Sequence, residues 1–162
     1  METIYFAKVN PSVIIPSKNV ENAGYDVYAN FEEDYIEIQP HSTMMIPTGI
    51  ASACSPDFYF QLQERGSTGT KGIAQRCGVI DSGYRNEWFV PLTNTTNKRL
   101  FIYKETFHFF KNDNIILYPY AKAIAQVVLL PVPKTEVIEK SYEELKLITS
   151  ERGMNCLGST NK

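Results

Sequence analysis

Asp81 and Tyr84 are the two residues of this chain whose types and spacing could do chemistry together. They sit in the segment Gly78-Val79-Ile80-Asp81-Ser82-Gly83-Tyr84-Arg85-Asn86-Glu87. Val79 and Ile80 read as an apolar strand end that delivers one carboxylate; Ser82-Gly83 reverses the chain, and an aromatic ring returns three residues after the acid. A carboxylate in a largely apolar wall can orient or deprotonate a water, and a tyrosine face beside it can pack against a flat ring such as a sugar or a base. Taken alone, the same residues would equally make a hairpin with a capped turn.

A second polar group sits upstream. Arg65, Gly66 and Ser67 follow an alternating run and read as a tight polar loop whose guanidinium, hydroxyl and backbone N–H groups suit phosphate oxygens. The bland alternative is a surface turn.

Five segments, in order, resemble the motifs of the trimeric all-β dUTPases: Ala23-Gly24-Tyr25-Asp26-Val27-Tyr28-Ala29, Arg65-Gly66-Ser67-Thr68, the Asp81 segment, Ile124-Ala125-Gln126-Val127, and Arg152-Gly153 through Gly158-Ser159-Thr160. The resemblance runs from about Ala23 to the C-terminus, and ordered agreement of several motifs is far more specific than any one of them. It implies that Asp81 positions the water that attacks the α-phosphorus of dUTP, giving dUMP and pyrophosphate, and that Tyr84 lies against the deoxyribose where a 2′-hydroxyl would go. Uracil would lie along a hairpin made by the strand before Asp81 and the strand after Glu87, read by backbone groups near Val79, Ile80 and Phe89. Gln75 stands where many relatives carry an asparagine facing the base.

At the phosphates the resemblance places Arg65, Gly66, Ser67 and Gln126, with Asp26 holding water on a Mg²⁺ ion. Such a hard cation, carried mainly by phosphates and water, needs few protein ligands. Residues 149–162 would form a mobile lid after a domain spanning 1–148: Arg152 at the γ-phosphate, Gly158, Ser159 and Thr160 at phosphates, Leu157 over the base. The chain departs from the family pattern at three of these places. Gly66 replaces a serine, Ala123 an arginine, and Leu157 an aromatic that would stack on uracil. The resemblance also implies a homotrimer with interfacial sites. Two other readings stay open: a dCTP deaminase of the same fold, and a phage-type regulatory module that works by binding a repressor or host protein.

The elements that must position these residues read as strands. Ile36 and Ile38 alternate with Glu37 and Gln39, and Phe58, Phe60 and Leu62 with Tyr59, Gln61 and Gln63; period two means half-buried strands. Turn signals at Asn10-Pro11, Gln39-Pro40, Pro47-Thr48-Gly49, Ser55-Pro56-Asp57 and Asn112-Asp113-Asn114 break them at intervals that fit a small, distorted, jelly-roll-like β-barrel. At most one short helix is expected, at Ser141-Tyr142-Glu143-Glu144, a capping box. The aromatic-rich stretch at about 101–120 reads as an elaborated hairpin packed on the barrel, and it resembles the inserted segment of some phage dUTPases.

Composition narrows the rest. The 162 residues form one domain large enough for its own core, and a net charge of −2 gives no electrostatic reason to expect a polynucleotide partner. Cys54, Cys77 and Cys156 are odd in number and widely spaced, and His41 and His108 lie far from them, which suits neither a disulfide framework nor a zinc site. No apolar run is long enough to span a membrane, and the start carries no signal peptide, so a cytoplasmic protein is expected.

Overall fold

The computed structural model describes residues 2–105 and 113–155. They fall into two compact units, Met1–Val132 and Pro133–Lys162. The first contains β1 (Tyr5–Lys8), β2 (Tyr25–Val27), β3 (Tyr35–Ile38), β4 (Thr43–Pro47), β5 (Ile50–Ala53), β6 (Phe58–Gln63), α1 (Gly66–Gly69), β7 (Ile73–Gln75), β8 (Val79–Ile80), β9 (Phe89–Asn94), β10 (Arg99–Tyr103), β11 (Ile115–Pro119) and β12 (Ala125–Pro131); the second contains α2 (Tyr142–Lys146).

Four small sheets share one core, ordered β1-β5, β11-β10-β3, β2-β12-β6-β8 and β4-β9-β7. The period-two runs form strands where the alternation places them: Phe60 and Leu62 of β6 and Ile38 of β3 are buried, while Gln63 is exposed. The turns follow their residue chemistry. Phe58 N–H donates to the Ser55 carbonyl at 3.0 Å and Val13 N–H to the Asn10 carbonyl at 3.2 Å. Gly49 has φ +65°, and a Cβ there would meet Val13 Cγ2 at 2.3 Å, so the turn between β4 and β5 accepts only glycine without rearrangement.

In the second unit, Ser141 caps α2 as its sequence predicts. Its Oγ accepts the Glu144 N–H at 3.2 Å, and the Glu144 carboxylate takes the Ser141 N–H at 2.9 Å. The cap holds the Glu144 acid below the usual carboxylate range, chiefly through the Ser141 hydroxyl.

Two features differ from the sequence expectation. There is a second short helix, α1, where a loop is expected at Arg65-Gly66-Ser67: Thr68 Oγ1 donates to the Arg65 carbonyl at 2.9 Å and Gly69 N–H to the same oxygen at 2.9 Å, closing one helical turn. The stretch 101–120 is also not a hairpin. β10 and β11 pair in parallel, Arg99 opposite Ile115 through Tyr103 opposite Pro119. A parallel pair requires the chain to cross back to its starting end, which a hairpin does not do. Phe101 and Tyr118 are buried core residues of these strands, while Phe107, His108, Phe109 and Phe110 lie outside the described residues.

On the outer side of the β3–β10 pair, the Arg99 guanidinium grips the Glu37 carboxylate through Nε to Oε1 and through Nη2 to Oε2, the latter at 2.8 Å. The Arg99 hydrogen bond, reinforced by its charge, holds the Glu37 acid below its ordinary value of 4.5. An acid whose folded value lies below its unfolded one contributes stability that is complete above the unfolded value and fades as pH falls through the folded one. The difference in denaturant midpoint between the parent protein and Glu37→Gln is therefore expected to shrink as pH is lowered from about 6 to about 3. A difference constant with pH would mean that the pair contributes by packing alone.

Candidate functional site

Five residues singled out by sequence meet in one cleft. Val79, Ile80, Asp81, Tyr84 and Phe89 line a cavity of about 200 Å³ together with Met45 and Trp88. β8 ends at Ile80, which is buried, and releases Asp81 into a turn closed by the Tyr84 N–H donating to the Asp81 carbonyl at 3.0 Å. That bond brings acid and ring to one side. Tyr84 Oη donates to the Glu87 carbonyl at 3.1 Å, and the Glu87 carboxylate accepts the Gly49 N–H at 2.7 Å, which ties the returning chain to the turn between β4 and β5. Asp81 is exposed, so its carboxylate faces solvent beside an apolar wall.

The strand arrangement around the cleft corrects one expectation. β8 and β9 do not pair as a hairpin; β8 pairs with β6, Ile80 opposite Phe60, whereas β9 pairs with β4 and β7. Val79 and Phe89 therefore approach the cleft from different sheets. Met45 and Trp88 join the cleft without a sequence motif to mark them. Met45 reaches the cleft only because β4 pairs with β9, which local pattern cannot show. Trp88 had one available signal, a lone tryptophan directly after the Asp81 segment.

A second group collects at the other end of the β2-β12-β6-β8 sheet. Gln126 sits in register with Asp26 on β2 and Gln63 on β6. Arg65 Nη2 lies 3.3 Å from Asp26 Oδ1, and Gln126 Nε2 donates to the Glu64 carbonyl at 2.9 Å. A Cβ on Gly24 would meet Gln126 Oε1 at 2.7 Å, so the glycine of the Ala-Gly-Tyr-Asp segment allows this close approach. Arg65 Nη1 donates to the Ala123 carbonyl at 3.2 Å, and Tyr118 Oη donates to the same oxygen at 2.6 Å. Arg65 is thus braced by the backbone of the residue that departs from the family pattern. Gly66 and Ser67 are exposed, nothing lies within 4 Å of a Cβ built on Gly66, and Ser67 Oγ is 3.5 Å from Tyr118 Oη.

Gln75 is not among the residues lining the cleft. Its amide turns back on the chain, Nε2 donating to the Arg76 carbonyl at 2.6 Å and to the Cys77 carbonyl at 2.8 Å, and so holds the segment that leads into β8. Glu64 was also missed by sequence: its carboxylate accepts the Gln75 N–H at 3.1 Å, so it touches both the polar group and this segment. Arg152 belongs to the second unit, while Leu157, Gly158, Ser159 and Thr160 lie outside the described residues.

The two groups are far apart within one chain. Ile80 is level with Phe60, and Arg65 lies five residues further along the same extended chain, roughly 16 Å at the usual rise per residue.

An all-β domain with a carboxylate–tyrosine cleft and a separate Arg–Asp–Gln group matches the arrangement that the resemblance to the all-β dUTPases implies. The chain belongs to the dUTPase family: that family's sequence model, described as dUTPase, matches residues 10–107. A deoxyuridine 5′-triphosphate nucleotidohydrolase of Nautilia profundicola is 33% identical over 159 residues, covering 96% of this chain and 96% of that protein. Among solved structures, the dUTPase of Staphylococcus bacteriophage 80alpha with dUPNHPP has a TM-score of 0.72 at 21% identity, covering 99% of both chains. A mutant dUTPase from phage phi11 of S. aureus, described as coordinating a structural Mg(II) ion, has a TM-score of 0.66 at 18% identity, covering 87% of this chain and 99% of that one. These two structural likenesses concern the fold. No helix among the described residues is long and apolar enough to cross a membrane.

Proposed function

We propose that this protein hydrolyses dUTP to dUMP and pyrophosphate. The observation that carries the reading is the placement of Asp81 and Tyr84 on one backbone-closed turn at an apolar cleft, in a chain whose family relatives are named deoxyuridine triphosphate nucleotidohydrolases. Asp81 holds a water by its carboxylate and takes a proton from it as the water oxygen bonds to the α-phosphorus; the bond from that phosphorus to the bridging oxygen breaks and pyrophosphate leaves. Tyr84 packs on the deoxyribose. A soft apolar pocket rejects an added hydroxyl only by about a hundredfold, so a ring pinned through its own hydroxyl is the kind of device this discrimination needs. Val79, Ile80 and Phe89 flank the base, and Gln75 acts on it through the segment it clamps.

Arg65 and Gln126 meet the phosphates with Gly66 and Ser67, and the tail from Arg152 through Leu157, Gly158, Ser159 and Thr160 covers the nucleotide. The residues fit Mg²⁺ as a substrate-borne ion. No group of three or more His, Cys, Asp or Glu gathers among the described residues, and Asp26 is a single, partly exposed carboxylate beside the phosphate-facing arginine. That donor set suits an ion held by phosphate oxygens and water, with Asp26 in its outer sphere. When bound, the ion neutralises triphosphate charge.

The reading includes a homotrimer with interfacial sites: Ile80 stands opposite Phe60 and Arg65 follows Phe60 by five residues, roughly 16 Å of extended backbone, a spacing that favours the acid and the arginine of one site coming from different copies. The test is pyrophosphate release from dUTP, dCTP, dTTP and UTP in parallel, with and without Mg²⁺, with ammonia release from dCTP followed alongside. Release from dUTP alone, dependent on the ion, is the expected result. Ammonia release from dCTP would turn the reading to a deaminase, and no turnover of any nucleotide would turn it to a binding module.

A further inference from the structure

Arg85 lies inside the Asp81 segment, yet the chemistry above gives it no role. Its guanidinium nitrogen Nη1 donates to three carbonyls: Ser82 at 2.5 Å, Tyr84 at 3.2 Å and Ser52 at 3.3 Å. Nη1 carries two hydrogens, so three acceptors require one to be shared. Two of the acceptors belong to the turn carrying Asp81 and Tyr84. The third is on β5, whose Ser52 is buried, and β5 pairs with β1 in a different sheet from β8. The turn itself is closed by one backbone bond, Tyr84 N–H to the Asp81 carbonyl, and Ser82-Gly83 gives it little stiffness.

We propose that Arg85 is a positioning residue for the reaction: it fastens the Asp81–Tyr84 turn to β5 and so fixes both the water-holding carboxylate and the ring that reads the sugar. A permanently charged guanidinium suits the task, because its Nη1 alone reaches carbonyls of two segments at once and the group loses no charge at any working pH. This inference rests on the assignment of Asp81 and Tyr84 under the proposed function. A loosened turn displaces the carboxylate from the reacting water without removing substrate contacts elsewhere, and a displacement near 1 Å can cost about a hundredfold in rate.

The test compares the parent protein with Arg85→Met and Arg85→Lys by kcat and KM for dUTP, the preference for dUTP over UTP, and amide hydrogen exchange at Tyr84 and Trp88. Arg85→Met is expected to lower kcat by about tenfold or more with KM changed by less than about threefold. Its preference for dUTP should fall as the Tyr84 ring loosens, and the Tyr84 amide should exchange about tenfold faster while the Trp88 amide, bonded to the Ile50 carbonyl at 2.8 Å, keeps its protection. Arg85→Lys should fall between the two, since an ammonium keeps the charge and can donate to these carbonyls but, on a side chain one bond shorter, reaches the Ser52 carbonyl less well. Unchanged kcat, preference and Tyr84 exchange in Arg85→Met would overturn the proposal. If Arg85→Met also loses protection at Trp88, the same readouts in Arg85→Lys decide it. Should the parent protein turn over no dUTP, the functional reading fails by itself, and Tyr84 exchange alone still decides whether Arg85 holds the turn.

Discussion

Asp81→Asn is expected to lower dUTP turnover by at least about a hundredfold, the usual contribution of a positioned base, with nucleotide affinity little changed. An asparagine fills the same space and can still hydrogen-bond a water, but it cannot take the proton. The turn survives the change because it is closed by the Asp81 backbone carbonyl, not by the side chain. The cleft's other walls, Val79, Ile80, Tyr84 and Phe89 with Met45 and Trp88, are untouched. The loss should therefore appear in kcat from steady-state pyrophosphate release, while binding of a non-hydrolysable dUTP analogue followed by calorimetry stays near that of the parent. A variant keeping more than about a tenth of the parent kcat would remove Asp81 from the role of base.

Trp88→Ala is expected to destabilise the fold by about 3–5 kcal/mol, a large share of the roughly 5–15 kcal/mol available to a domain of this kind. Trp88 is 1% exposed, and its ring meets Phe60 at 5.3 Å and Phe6 at 5.7 Å, both edge-on. Truncation would leave a cavity between β1, β6 and β9 that these rings can only partly fill. Trp88→Phe should cost much less. The indole Nε1 is buried and finds no partner among the described residues, so phenylalanine keeps most of the packing while removing an unsatisfied donor whose burial costs about 1–3 kcal/mol. Urea denaturation of the two variants separates the terms. Equal losses in both would show that the N–H is satisfied in solution.

Much of the candidate site was legible in sequence because its chemistry is local. The acid, the Ser-Gly reversal and the ring lie within four consecutive residues, and the hydrogen bond that brings them together spans three positions. The Ser141 cap was legible for the same reason. Met45, by contrast, stands more than thirty residues before Asp81, and nothing near it in the chain marks it as part of a cleft. The sequence marks Arg65 as a phosphate ligand, but its brace on the Ala123 carbonyl depends on β12 packing beside β6. The position of Gln75 matches an asparagine of relatives and predicts an amide facing the base; the backbone at Cys77, with φ +58°, instead offers that amide the Arg76 and Cys77 carbonyls.

The sequence by itself determined the all-β class, the strands with clean alternation, the turns and the Asp81–Tyr84 pairing, since each follows from the preferences of residues within a few positions of one another. Only the tertiary structure decided which strands are neighbours. It made β10 and β11 parallel, kept β8 and β9 out of a common ladder, drew Met45 and Trp88 into the cleft, and set Arg65 beside Asp26 and the Ala123 carbonyl. Pairing between distant strands is chosen by burial of their shared face across the whole core, and an alternating pattern specifies which face is buried without specifying the partner.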